Sequence, residues 1–363
     1  SDSKAYITLQ EANAIAKLDL NSLEIEDIYS VGFEDYSKIA IDIDKKDEKY
    51  NAQTYDSLKG IRMPDAISVY TVDGIDYLIT ANEGDSRDWN GYSNEIEVNF
   101  GKGKTSPTGK ITADNSGLTG KVTFFDTSDY DGLNNENDYL FGGRSSTIFK
   151  ADEQSLQEIY TTGNDFEVKT AAYLPNNFNC SNDDATIDDR SGKKGPEAEA
   201  VTIGQIEDKT FAFIGLERIG GIMVYDITNP EKTEFVNYIN SRDFSTDIGG
   251  DDSPEGIHFI AGNDSITGKP QLVVAYEVSG TVGVYDLTLQ KNSDQSGDDK
   301  TDNPSQEPTV EETNNSSNTN TNNKNHSVNT GDASNIAITI ISLISTIVLI
   351  TVLMKKDKVL AED

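Results

Sequence analysis

The chain has 363 residues, enough for one large domain with extensions, and a formal net charge of −33. So acidic a balance argues against nucleic acid as a partner, since nothing here could neutralise phosphates; it fits cation binding, and equally a surface that keeps an exposed protein dispersed. The single cysteine, Cys180, precludes an internal disulfide, and the two histidines, His258 and His326, preclude a His-rich zinc centre and leave a Ser-His-Asp triad only if His258 serves it.

Near the start, KAYITLQEANAIAKLDL reads as a strand over 6–9, an acid at Glu11 and another strand over 15–20. No basic stretch followed by an apolar core precedes it, so no signal peptide is read, and the sequence is expected to begin inside a repeat, as an N-terminally truncated fragment. Residues 21–60 are a mixed, acidic connection. Residues 61–83 read as a strand pair with Asp73-Gly74 at its hairpin turn. A long polar insertion follows over 84–119. Its GKGKTSPTGK stretch invites a phosphate-loop reading, which fails: Val98 stands where the pattern needs glycine, and no strand-to-helix context surrounds it. A mobile loop is expected there instead. VTFFDT reads as the strand that succeeds Glu83 in its unit, and residues 138–160 as a divergent further unit. Beyond an Asn- and Asp-rich loop over 176–194 come three apolar runs, at 200–203, 211–216 and 222–227. They are broken by a polar turn and by Gly220-Gly221, and closed by Asn229-Pro230. A similar unit fills 250–289.

Three of these stretches share one plan: MPDAISVYTVDGIDYLITANE, GPEAEAVTIGQIEDKTFAFIGLE and SPEGIHFIAGNDSITGKPQLVVAYE. Each opens with Pro, an acid, one or two small residues and an apolar residue, and each second strand ends on Glu. The opening acids are Asp65, Glu199 and Glu255; the closing acids are Glu83, Glu217 and Glu277, at separations of 18, 18 and 22 residues. Small antiparallel sheets repeated without helical periodicity predict an all-β protein, a β-propeller over 1–290 with four to five blades of a seven-bladed ring present. An open β-solenoid or two packed sandwiches are the other architectures compatible with the pattern.

Antiparallel neighbours joined by a hairpin bring the opening and closing acids to one sheet edge. Asp65, Glu83, Glu199, Glu217, Glu255 and Glu277 are therefore expected to ring one mouth of the channel. Two unpaired carboxylates ~4 Å apart repel by ~4 kcal/mol at an effective dielectric of ~20, so something must relieve them. Arg87, Arg144, Arg218, backbone N–H groups, a shared proton or a hard cation are the candidates. Oxygen ligands without histidine favour Ca²⁺ or Mg²⁺. Three roles stay open for the ring: fixing blade register through hydrogen bonds, holding calcium, or catalysis.

Residues 291–334 are rich in Asn, Thr, Ser and Asp and are expected to form a disordered stalk. Residues 336–354 carry no charge and, as a helix, would span ~28 Å, close to the bilayer core. A membrane helix over 335–355 is therefore expected. Lys355, Lys356 and Lys358 then mark a cytoplasmic tail over 356–363, with the bulk of the chain outside the cell.

The stretches ITLQEANAIAKLDL, MPDAISVY, YLITANEGDSRDW, FGGRSS, KKGPEAEAVTIG, FAFIGLERIGGIMVYDITNP and TGKPQLVVAYEVSGTVGVYDL resemble the choice-of-anchor I domain family, over about residues 4–289. The resemblance implies a bacterial surface domain with a propeller of the YVTN and WD-repeat kind. Its members end in varied anchors, and many carry an alkaline phosphatase label. The C-terminus resembles a sortase sorting signal. Thr330 and Gly331 flank the implied cleavage point, but Ser327 and Val328 replace the usual Leu and Pro. The expected protein is thus displayed on the envelope of a Gram-positive-type bacterium, through its own helix or the cell wall. It binds a ligand or partner or serves as a scaffold; the alternative is a Ca²⁺-dependent phosphoesterase that uses the carboxylate ring.

Overall fold

The computed structural model describes residues 3–130, 132–152, 154–291 and 336–342. Nearly all regular structure is β. Strands β1 (Lys4–Leu9), β2 (Ala14–Asp19) and β3 (Glu24–Ser30) form an antiparallel sheet in that order. The predicted connection over 21–60 thus contains a strand, followed by the short β4 (Phe33–Asp35) and then β5 (Leu58–Ile61).

The Asp73-Gly74 hairpin forms as expected between β6 (Ile67–Val72) and β7 (Ile75–Asn82). Both turn residues take the left-handed conformation, φ 52° and 77°, that matches the twist of the flanking strands. After β7 the order departs from the sequence reading. β8 (Asp88–Trp89), β9 (Tyr92–Ser93), β10 (Glu95–Asn99), the short helix α1 (Ala113–Ser116) and β11 (Lys121–Phe125) belong to an insertion. β11, expected to pair with β7, pairs with β10. β12 (Asp138–Phe141) lies parallel to β5, whose other edge takes β4. β13 (Ser145–Ala151) is the true neighbour of β7, and β14 (Leu156–Thr161) completes the sheet β14-β13-β7-β6. Nor is the insertion a mobile loop. Phe100, Ile111 and Leu118 are buried with Val122, Phe124 and Leu140, so a few apolar anchors fix an otherwise polar segment.

Helix α2 (Asp165–Tyr173), which the sequence reading does not anticipate, buries Phe166 beside Tyr225. Two regular sheets follow. One runs β15 (Ala198–Ile206), β16 (Lys209–Leu216), β17 (Ile222–Asp226), β18 (Glu234–Ile239). The other runs β19 (Pro254–Ile260), β20 (Gln271–Tyr276), β21 (Thr281–Lys291), β22 (Ile336–Ser342). β22 corrects the expected helix at its start. The β-branched run IAITIIS suits an extended chain, and it pairs along the free edge of β21. Among the described residues no helix is long and apolar enough to cross a membrane. The rest of the expected span, nearly all of the expected stalk, the tail, Thr330 and Gly331 lie outside the described residues.

Edge strands carry the contacts between sheets: β15 packs against β6 and β7 of one neighbouring sheet and against β19 of another. Gly204 is required at the second contact, because a Cβ there would stand 2.2 Å from the Phe259 ring. Phe259 in turn stacks on Phe213, with ring centroids 6.1 Å apart. Buried arginines pin the loops. Arg62 pairs with Glu34 at 3.1 Å and with Glu158 at 2.8 Å; Arg242 pairs with Asp252 at 3.2 Å.

Candidate functional site

The site is built at the corners where β6, β15 and β19 begin. Met63, Glu197 and Ser253 occupy equivalent corners, each left-handed, with φ of 46°, 55° and 66°. Two residues on stand Asp65, Glu199 and Glu255. At each corner the strand carries an extra residue. The pairing slips between Ala198 and Val201, opposite Leu216 and Ile214, and between Pro254 and Gly256, opposite Tyr276 and Ala275. Ala81 likewise faces two residues, accepting from the N–H of Asp65 and donating to the carbonyl of Ala66. Bulges of this kind re-aim a side chain, and here they turn the opening acids away from the regular sheet face.

The closing acids return to the same edge. The N–H of Glu217 donates to the Glu197 carbonyl at 2.8 Å, that of Glu277 to Ser253 at 2.8 Å, and that of Gly84 to Met63 at 3.1 Å. One carboxylate oxygen each from Asp65, Glu83 and Glu199 lie within 4.8 Å of one another, and so do those of Glu83, Glu197 and Glu217. Four of the six predicted acids therefore meet. Glu255 and Glu277 stay outside both groups and are exposed.

Sequence reasoning missed Glu197, although it is the electrostatic centre and fully buried. Lys194 pairs with it at 2.9 Å, Arg218 Nε at 3.1 Å, and the Arg190 guanidinium donates to its other oxygen. Burial would raise the Glu197 pKa, but Lys194, Arg190 and Arg218 overcome it and hold the carboxyl down at about 2. Lys194 also pairs with Glu83, which accepts a further hydrogen bond from Gln10. Glu217 is held by Arg218 at 3.2 Å and by the Asn182 amide at 3.0 Å. The available signal was the basic run around Arg190, Lys193 and Lys194 in so acidic a chain.

Glu199 is different. It is 9% exposed, and its carboxylate has no hydrogen-bond or ion-pair partner among the described residues. Burial, then the neighbouring Glu83, Asp65, Glu217 and Glu255, push its pKa up to about 10. Burial also raises Asp65, with Asp85 adding to it, and raises Glu83 in spite of Lys194, which Glu83 must share with Glu197. Glu217 is pushed up to about 8 by burial and by Glu197, against Arg218.

Of the cations proposed to relieve the ring, only Arg218 does so. Arg144 is buried elsewhere against Glu167, and Arg87 donates to the Glu11 carbonyl and lies over the Tyr130 ring. Beside the cluster opens a cavity of about 210 Å³, lined among others by Arg190, Lys193, Lys194 and Arg218. Another carboxylate trio, Asp42, Asp47 and Asp188, is tied into the scaffold. The N–H groups of Asp44 and Asn51 donate to Asp42; those of Glu48 and the Ser191 hydroxyl donate to Asp188. His258 is an exposed residue of β19, opposite Val273, as its sequence context implied.

These features define an all-β protein in which two neighbouring hairpins, β6–β7 and β15–β16, bring their acids into one charged cluster. The chain belongs to the choice-of-anchor I domain family, whose profile matches residues 1–230. It is 29% identical over 246 residues to a mesenchyme-specific cell surface glycoprotein of Strongylocentrotus purpuratus, covering 57% of this chain and 31% of that protein. It is 29% identical over 168 residues to Gigasin-3a of Magallana gigas, covering 41% of this chain and 57% of that one. The chain thus spans about a third to just over half the length of these relatives. Among solved structures, hydrazine synthase of Kuenenia stuttgartiensis aligns over 78% of this chain and 73% of its own, at 11% identity and a TM-score of 0.24, too slight a likeness to carry an argument.

Proposed function

We propose that this chain is a β-propeller displayed at the cell surface, and that it works as a binding or scaffold module through the charged mouth. The propeller reading is supported by the recurrent sheets, each led by an edge strand that packs on the next. Cell-surface display is supported by the family and by the named character of one relative. Anchoring through the apolar C-terminal stretch, or at Thr330-Gly331, belongs to the same proposal. One observation carries the non-catalytic reading. Three acids of the cluster, Glu83, Glu197 and Glu217, are each locked by cations or amides. The test is protease shaving of intact cells that express the full protein. The surface reading expects the protein to be cleaved without lysis; complete protection until lysis would end it.

The second reading, a calcium-dependent phosphoesterase, draws on the 210 Å³ cavity. Four cations of its lining, Arg190, Lys193, Lys194 and Arg218, outnumber the acids Asp85 and Glu95 and suit a phosphate group, and the carboxylates beside it suit a metal that polarises phosphate. Hydrolysis of p-nitrophenyl phosphate by the full protein with calcium, lost in R190A and R218A, would replace the first reading with this one.

A further inference from the structure

Charge balance divides the mouth into two halves. In one, Glu197 and Glu217 face Arg190 and Arg218, with Lys194 on the border. In the other, the one cation is Lys194, which pairs with Glu83 but also with Glu197 at 2.9 Å and Asp85 at 3.5 Å, so Asp65 and Glu199 have no cation of their own among the described residues. A divalent ion would let both ionise together. The two halves are chemically distinct, although the repeat pattern makes their acids look alike.

Glu199 locates the deficit. It is more than nine-tenths buried, yet its carboxylate is without a partner and is aimed at the carboxylates of Asp65 and Glu83. Three carboxylates this close repel one another unless something pairs with them. Ligand oxygens at 2.3–2.6 Å from a calcium ion stand no more than about 5 Å from each other, and the three oxygens here fall within 4.8 Å. The donors are hard oxygens only. They come from two different sheets and from bulged backbone, an irregular set that suits calcium better than the strict octahedron magnesium requires. Gln10 and Lys194 both donate to Glu83, and support of this kind fixes the orientation of a metal-binding carboxylate.

We propose that Asp65, Glu83 and Glu199 form a calcium site at the mouth, with water completing the shell and with Gln10 and Lys194 as positioning residues. Glu217 is excluded because it lies outside the group and is held by Arg218 and Asn182; Glu255 and Glu277 are excluded because they too lie outside the group. The site joins the β6–β7 hairpin to the start of β15, so the ion acts as a clasp between neighbouring sheets.

This inference rests on the reading of the mouth as a binding site, and its test separates the two. The full protein, stripped with a chelator, is titrated with calcium chloride by calorimetry and melted with and without the ion. Expected are one calcium per chain and a higher melting temperature. E199Q and D65N should each weaken binding at least about tenfold, since even supporting residues cost about that much, while E277Q binds as the wild type does. Should E199Q fail to fold, the wild-type titration and D65N still decide. No uptake by the stripped wild-type chain at about 1 mM calcium, the weak end of extracellular calcium modules, overturns the proposal; so does undiminished binding by folded E199Q and D65N. Calcium uptake by a protein that intact cells keep protected from protease upholds the site and removes the surface reading; surface cleavage of a chain that takes up no calcium does the reverse.

Discussion

Arg144 and Glu167 are ion-paired in the interior with neither side chain exposed to solvent. The same guanidinium donates to the carbonyls of Asp42 and Ser191 at 2.8 and 2.6 Å, and to that of Lys193 at 2.8 Å. One residue thus ties the chain before β5, the start of β13 and the loop that carries Lys194. Removing one partner of such a pair strands the other in a low-dielectric interior. R144M should lose about 3–5 kcal/mol of stability in chemical denaturation. R144M/E167Q should recover part of that, since the stranded carboxylate is gone.

Glu197 offers a second measurement. Its charge balances Lys194, Arg190 and Arg218 together, so E197Q leaves three cations crowded around a neutral amide. The expected loss is about 3–5 kcal/mol, read from urea unfolding. E277Q, on an exposed side chain, should stay within about 0.5 kcal/mol of wild type.

The contact between two sheets can be tested at Gly204. With the Phe259 ring where its Cβ would stand, G204A should cost about 1–3 kcal/mol by overpacking. The double variant G204A/F259L, with a smaller side chain opposite, should be less destabilised than additivity allows, because the two residues share one space.

Acid stability should run against the usual trend in one window. Burial pushes Asp42 up to about 7 and Asp188 up to about 8, in each case with neighbouring carboxylates adding to it. Both folded values lie above the ordinary carboxylate range, so between about pH 4 and pH 8 the folded chain holds more protons than the unfolded one. Stability must then fall as pH rises through that window. In chelator, the melting temperature should decline from about pH 5.5 to about pH 8.5, and D42N should remove Asp42's share of the slope, leaving that of Asp188 and Glu217. A melting temperature that rises across this range in the wild type would contradict the assignment.

How far the sequence could be read depended on whether a signal was local. The Asp73-Gly74 turn, the strands of β15 to β17 and the approach of Asp65 to Glu83 across their hairpin follow from residues close together in the chain, and each was legible. Partner choice was not. β11 has the apolar, β-branched and aromatic content of a sheet's third strand, and only the tertiary fold shows that β13 takes that position against β7. Glu197 escaped for a related reason. Its equivalents are Met63 and Ser253, neither of them acidic, so comparing repeats pointed past it to Glu199. The insertion over 84–119 looked structureless because its anchors, Phe100, Ile111 and Leu118, are too far apart to give any periodicity.

The left-handed corner that recurs at Met63, Glu197 and Ser253 has a consequence for how such a domain diversifies. The backbone there is bent by hydrogen bonds from the returning strand, so the fold tolerates a thioether, a carboxylate or a hydroxyl at the same point. All three side chains point into the protein, and each does a different job there: an apolar contact at Met63, a hub of ion pairs at Glu197, a hydroxyl hydrogen bond at Ser253. One backbone corner can thus found a greasy, a charged or a neutral footing beneath the acids that follow it, and repeats of one architecture can diverge in charge without altering a strand.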